Sequence, residues 1–204
     1  MQLVENKAEP KKVNGKKIKA KELELLVEAA IFSSEKPLSI SMIKDKLLID
    51  YQVSTKHIRN ALTMLALHYQ GRGIELVEVA SGFRFQVREH LSTDIQYLQQ
   101  EKAPKYSRAL LETLSLVAYK QPITRGEIEE IRGVAVSSHI IKTLIEREWI
   151  KIVAHKEVPG RPAMYATTKE FLDYFSLKSL SQLPELMPMA ESTIVNHEIN
   201  DIMP

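Results

Sequence analysis

Ala118-Tyr-Lys-Gln-Pro-Ile-Thr-Arg-Gly-Glu-Ile-Glu-Glu-Ile-Arg-Gly-Val134 decides how this chain is read. Before it, Leu110, Leu114, Val117 and Ala118 recur at i, i+4, i+7 and i+8, the apolar stripe of an amphipathic helix. Gln121-Pro122 ends that helix, because the residue before a proline is pushed out of the helical region. Thr124 and Glu127 then form a capping box, hydroxyl to amide and carboxylate to amide, with Ile123 and Ile128 as the hydrophobic staple around it. Gly133 stands where a helix closes in a left-handed turn. Two helices in tight succession follow from these residues.

Working outward, Ser137 caps a third helix carrying Val136, Ile140, Ile141, Leu144 and Ile145 on one side. The period then changes from 3.6 to 2: Ile150, Ile152 and Ala154 alternate with Lys151, Val153 and His155. Pro159-Gly160 turns the chain into Met164-Tyr-Ala-Thr167. Three short helices and a two-stranded hairpin make a helix-turn-helix with a β wing, the winged-helix arrangement. Lys169 to Phe175 adds a last helix that sets aromatic side chains on this unit.

The first half of the chain repeats the pattern. Leu23, Leu26, Val27, Ala30 and Ile31 form a helical stripe that stops before Lys36-Pro37. Ser39 caps a second helix with Leu38 and Ile43 as its staple. A third runs from Ser54 through Ile58, Ala61, Leu62 and Leu65 to about Tyr69, where Gly71 and Gly73 break it. Ile74 to Val79 and Phe83 to Arg88 form a hairpin turning at Ser81-Gly82. At one constant offset Pro37, Leu38, Ser39 and Ile43 align with Pro122, Ile123, Thr124 and Ile128; at a slightly shorter one Val53, Ser54, Ile58 and Leu62 align with Val136, Ser137, Ile141 and Ile145. The fold class expected is α+β, mainly helical, as two tandem winged helices. The organisation expected is a disordered basic tail over residues 1–20, a first winged helix over 21–90 and a linker with a short helix over 91–106. A second winged helix over 107–176 and a C-terminal tail over 177–204 complete it.

Composition narrows the function. The 204 residues include no cysteine, which excludes disulfides, thiol catalysis and cysteine-ligated metals. No run of 18 or more apolar residues is present, so no membrane span is expected, and the lysine-rich N-terminus carries no secretory h-region. Seven lysines and two glutamates in residues 1–21 give +5; the other 21 basic and 24 acidic residues sum to −3. The basic balance belongs to the tail and the folded body is mildly acidic. The six histidines form no ligand pair, the glycines form no phosphate loop, and no nucleophile motif is present. Glu127 is accounted for by its cap, and Glu129 and Glu130 read as a solvated helix face. No enzyme, cofactor or metal site is expected.

A helix-turn-helix enters the major groove with its second helix, here the third of each unit. Its exposed positions are Lys56, Arg59, Asn60 and Thr63 in the first unit and His139, Lys142 and Thr143 in the second, with Glu146 beside them. Two or three cations per unit release few counterions, so duplex binding through them is weak and salt-sensitive. A winged-helix DNA-binding transcriptional regulator is the alternative reading. Protein binding fits better: the rigid Val158-Pro-Gly-Arg-Pro162 turn, with Tyr119, Lys120 and Tyr165 near it, offers tyrosine and arginine, both enriched at interfaces.

The wording of the second half is also familiar. Leu111-Glu-Thr-Leu114, Ala118 to Arg125, Glu127 to Val134, Lys156-Glu-Val-Pro-Gly-Arg-Pro162, Glu170-Phe-Leu-Asp-Tyr-Phe175 and Leu183-Pro-Glu-Leu186 closely resemble the bacterial segregation and condensation protein B family. The resemblance implies a non-enzymatic subunit of the bacterial condensin-like complex. It implies a homodimer, formed chiefly through the first winged helix, that clasps the central part of the kleisin. The kleisin in turn closes the ring of the structural maintenance of chromosomes ATPase. The expected setting is the cytoplasm, at the nucleoid, with DNA contact indirect or weak. The partner-binding residues carried over are Tyr119, Lys120, Arg132, Pro159, Gly160, Arg161 and Tyr165.

Overall fold

A computed structural model describes residues 15–99 and 106–185 of the protein. Helix α1 (Ala20–Ser33) is followed by α2 (Ile40–Met42), which continues as a π-helical turn over Ile43–Leu47, and by α3 (Thr55–His68). Strands β1 (Ile74–Val79) and β2 (Gly82–Val87) pair antiparallel, and α4 (Glu89–Gln99) leaves the hairpin. The second unit repeats the order with α5 (Arg108–Lys120), a two-residue strand β3 (Ile123–Thr124), α6 (Arg125–Arg132), α7 (Ser138–Glu146), β4 (Ile150–His155), β5 (Ala163–Thr167) and α8 (Lys169–Tyr174). Its sheet runs β3-β5-β4.

Each unit has its own core. Leu23, Val27 and Ile31 of α1 meet Ile58, Leu62 and Leu65 of α3 over Ile43 and Leu48. In the second, Leu114 and Val117 of α5 meet Ile128, Val136 and Leu144, closed by Trp149, Ile150 and Phe171. The repeat extends to a detail of pairing. Leu38, just before the Ser39 cap, bridges Phe83 on β2, and Ile123, just before the Thr124 cap, pairs with Tyr165 on β5. In both units the staple residue is stitched to the second strand of the hairpin.

The caps are where the sequence puts them. Ser39 accepts from the Met42 amide, Thr124 from Glu127, Ser137 from His139, and Gly133 closes α6 at φ +68. One box the sequence reading lacked involves histidine: Ser54 caps α3, and the His57 ring takes the place of the usual carboxylate. In the first hairpin the turn is Ala80-Ser81, and Gly82 already belongs to β2, where its φ of +146 and the Leu38 backbone pressed against it admit no side chain.

Two expected boundaries are corrected. Residues 15–19, assigned to the disordered tail, run beside the loop before α3: the Lys16 amide donates to the Asp50 carbonyl and its carbonyl accepts from Gln52, while Ile18 packs on the core. Residues 1–14 lie outside the described residues. The linker's short helix is the 11-residue α4, and residues 100–105 lie outside the description. The tail expected from 177 starts on the second unit itself: Leu177 and Leu183 pack on the second core, and residues beyond 185 lie outside the description. The alternation of β4 puts little of the strand in the core. Only Ile150 is buried, and Ile152 and Val153 are both about half exposed, because the pairing with β5 shifts register between Ile152 and Ala154 and β4 is the outer strand.

The two units also touch. The Ser81 amide donates to the Asp173 carboxylate, the Ala80 amide to the Leu177 carbonyl, and Arg84 to the Ser176 hydroxyl (3.0 Å each), while Lys178 pairs with Glu78 at 2.7 Å. The first hairpin's turn is thereby bound to the chain leaving α8.

Ile128 is fully buried at the centre of the second core, beneath the helix-turn-helix. Ile128→Ala is expected to destabilise the protein by roughly 2–5 kcal/mol, read as a lower urea midpoint at unchanged slope.

Candidate functional site

The polar residues of the second unit converge on the helix-turn-helix and its wing. Glu127 is the hub. One carboxylate oxygen accepts from the Thr124 amide and hydroxyl at 2.8 Å each; the other accepts from Nζ of Lys156, at the end of the wing, at 2.7 Å. The Lys156 ammonium and these two Thr124 donors hold the Glu127 carboxyl at about 2, far below its ordinary 4.5, and the same pairing raises Lys156. A cap has become the joint between wing and helix.

Glu129 has a similar task two residues on. It accepts from the Val136 amide at 2.8 Å and from Arg125 at 2.9 Å, and Arg125 also reaches the Ser138 hydroxyl. The Val136 amide, with help from Arg125, keeps its carboxyl below the usual range. This carboxylate bridges the turn between α6 and α7, so it is not the solvated side chain the sequence suggested. Glu130 is exposed, as expected.

The partner-binding candidates fall into two groups. Pro159, Gly160 and Arg161 are exposed at the wing tip, with Gly160 at φ +83 and Arg161 at φ +38, and Arg161 pairs with Glu157 at 3.2 Å. Lys120 is exposed at the end of α5. The others are engaged within the fold. Tyr119 donates to the Pro184 carbonyl at 2.6 Å, so its hydroxyl holds the C-terminal segment. Arg132 is nine-tenths buried and pairs with Glu112 of α5 at 3.0 Å; Arg108 and Arg132 together keep the Glu112 carboxyl low. Tyr165 is half-buried on β5 opposite Ile123 and Ile152. Of the candidates, the tip residues and Lys120 are exposed, and Tyr119, Arg132 and Tyr165 are engaged within the fold.

Sequence reasoning missed Lys156, whose partner lies 29 residues away, and the aromatic cluster closing the unit. Trp149 is buried against Tyr174 and Phe175, and the Arg147 guanidinium lies 4.8 Å over the Tyr106 ring and 5.4 Å over Trp149. The Glu146-Arg-Glu-Trp-Ile150 run breaks the helical period, which was the available signal. On the helix faces considered for DNA, Lys142 pairs with Glu146 at 3.5 Å. Among the described residues, no group of three or more histidine, aspartate and glutamate side chains could hold a metal, and no helix is long and apolar enough to cross a membrane.

These features define a protein of the tandem winged-helix class whose buried and half-buried polar groups hold turns and wings in place. A family profile described as "Segregation and condensation complex subunit ScpB" matches residues 25–186, and the chain belongs to that family. It is 55% identical over 164 residues to the segregation and condensation protein B homolog of Coxiella burnetii, covering 79% of this chain and 78% of the relative. It is 38% identical over 186 residues to segregation and condensation protein B of Myxococcus xanthus, covering 90% of this chain but 55% of that longer relative. Among solved structures, ScpB from Mycobacterium tuberculosis is 28% identical with a TM-score of 0.37, covering 78% of this chain and 98% of that one.

The depressed Glu127 carboxyl makes a pH prediction. Its ionised form favours the fold fully above about 4.5, and that contribution is lost as the pH falls through about 2. Half-exposure of the pair weakens it in salt. Glu127→Gln is expected to lower the thermal midpoint by an amount constant above pH 5 that shrinks between pH 4.5 and 2, checked by melting both proteins across that range.

Proposed function

We propose that this chain is a non-catalytic scaffold subunit of the bacterial condensin-like complex. In this reading it acts as a homodimer that binds the kleisin and, through it, the structural maintenance of chromosomes ATPase. It thereby supports chromosome condensation and segregation, in the cytoplasm at the nucleoid. The family match over residues 25–186 carries this reading. The charge arrangement supports it over direct DNA reading. Lys142 on α7 and Arg161 on the wing each sit beside a glutamate, which reduces the positive potential a phosphate backbone requires. The first hairpin's turn is hydrogen-bonded to Asp173 and Leu177 and so is occupied within the chain.

Within the second unit, the exposed wing tip Pro159-Gly160-Arg161, with Lys120, is the proposed kleisin contact. Tyr119, Arg132 and Tyr165 stand behind it as supports. A turn with two consecutive positive φ values presents Arg161 on a backbone that loses little freedom on binding.

Calorimetry with the central segment of the kleisin tests both levels. The full chain is expected to bind it. Arg161→Glu is expected to raise Kd at least about tenfold with an unchanged melting temperature. An unchanged Kd removes the wing tip from the interface, and no binding by the unaltered chain sinks the scaffold reading. Duplex binding at physiological salt that survives deletion of residues 1–14 favours a DNA-binding regulator instead.

A further inference from the structure

The cations of α3 are few when that helix is taken alone, but the fold brings others to it. Residues 15–19 run beside the loop before α3, with Lys16 bridging Tyr51 and bonded to Asp50 and Gln52. Lys17 lines a cleft together with His57 and Asn60 of α3. Lys44, on the π-helical turn, lines the next cleft with Tyr51 and Val53. Lys56 stands in the first turn of α3 and Arg59 one turn on, while Lys19 and Lys46 belong to the same two segments as Lys17 and Lys44; all are exposed. Over residues 15–19 and 40–60 these seven cations meet two carboxylates, Asp45 and Asp50, a net of +5. Residues 22–39 and 61–204 carry 17 basic and 22 acidic side chains, a net of −5. None of the seven is in an ion pair among the described residues, whereas Lys21, Arg125, Lys142 and Arg161 each hold a glutamate. The first turn of α3 has no acid, and its capping box is closed by the His57 ring where that of α6 uses a carboxylate.

We propose that this basic pole of the first unit holds the phosphate backbone of duplex DNA without regard to sequence. Sequence-independent affinity comes from counterions released as cations meet phosphates, and only a cation not already neutralised by a carboxylate supplies it. The seven residues meet that condition, and the corresponding cations of the second unit, Lys142 and Arg161, do not. Six of the seven are lysines, point charges on flexible stems that follow a phosphate backbone without fixing on a base. The start of α3 adds the positive end of a 14-residue helix dipole with no acid to offset it. The acidic remainder of the chain repels a duplex, so the pole alone sets where the DNA lies. An acidic polypeptide would feel the same charge, but α3 is the helix that a helix-turn-helix presents, by its N-terminal end, to a duplex. The contact goes beyond the kleisin reading and does not require it.

The test titrates the full chain onto short fluorescent duplexes of unrelated sequence, read by anisotropy from about 50 to 200 mM salt. Affinity is expected to be the same for each duplex and to fall about 100-fold between 50 and 150 mM, a slope of about −4 in log affinity against log salt. Lys17→Glu/Lys56→Glu should weaken low-salt binding at least about tenfold and make the slope shallower by about 2. Lys151→Glu/Lys169→Glu makes the same change in net charge at exposed positions of the second unit and should leave affinity and slope nearly unchanged. All four side chains are exposed, so melting temperatures should match that of the unaltered chain. Deletion of residues 1–14, which removes Lys7, Lys11 and Lys12, should keep low-salt binding and its dependence on Lys17 and Lys56. Equal losses in the two double variants mean that overall charge is being read, and overturn the site. Binding that vanishes with residues 1–14 overturns it in favour of the tail. Preference for one duplex sequence overturns the sequence-independent contact and favours the regulator. Uptake of polyglutamate but not of a duplex overturns it in favour of an acidic protein partner. No duplex binding at the lowest salt overturns the pole and leaves the scaffold reading standing.

Discussion

The second unit depends on one carboxylate. Glu127 satisfies the open amide at the start of α6 and takes the Lys156 ammonium from the end of the wing. A winged helix needs its hairpin held at a fixed angle to its helices. The hairpin's outer strand cannot supply this through packing, because most of β4 is exposed. The hairpin is tied to the helices by a charge-assisted contact at the far end of β4 and by the Ile123–Tyr165 pairing. The first unit lacks that carboxylate, since α2 begins with Ser39 and no acid follows at the capping position. It steadies its hairpin differently, with Arg88 donating to Glu75 and to the Tyr69 and Arg72 carbonyls.

Local chemistry was legible and tertiary chemistry was not. Thr124, Ser39, Ser137 and Gly133 act through neighbours within four residues, so their roles could be written from spacing alone. Lys156 and Arg132 act through partners about 20 to 30 residues away, and nothing in their surroundings announces them. Glu129 was misread for a related reason. Its helical position faces outward, and only the bend of the α6–α7 turn brings the Val136 amide back to it. The alternation of Ile150 to His155 predicted a strand but said nothing of its exposure, because alternation says which side chains share a face but not whether anything covers it.

The candidate contact residues divide along the same line. Pro159-Gly160-Arg161 could be placed at a tip because proline and glycine define turns. Tyr119 was offered for its residue type and Arg132 for the family resemblance, and the fold uses each of them internally, one to hold Pro184 and one to bind Glu112. The family wording identified the protein's class more sharply than any of these residues singly, since their order over the second half is specific where each motif is not.

The contact between the first hairpin's turn and the chain leaving α8 fixes more than a surface. Ser81, Ala80 and Arg84 hold Asp173, Leu177 and Ser176, with Lys178 on Glu78. These bonds join the two units through polar contacts at the hairpin turn, while each unit keeps a core of its own. The joint between the units is therefore one that water and salt can reach, unlike the apolar cores on either side of it.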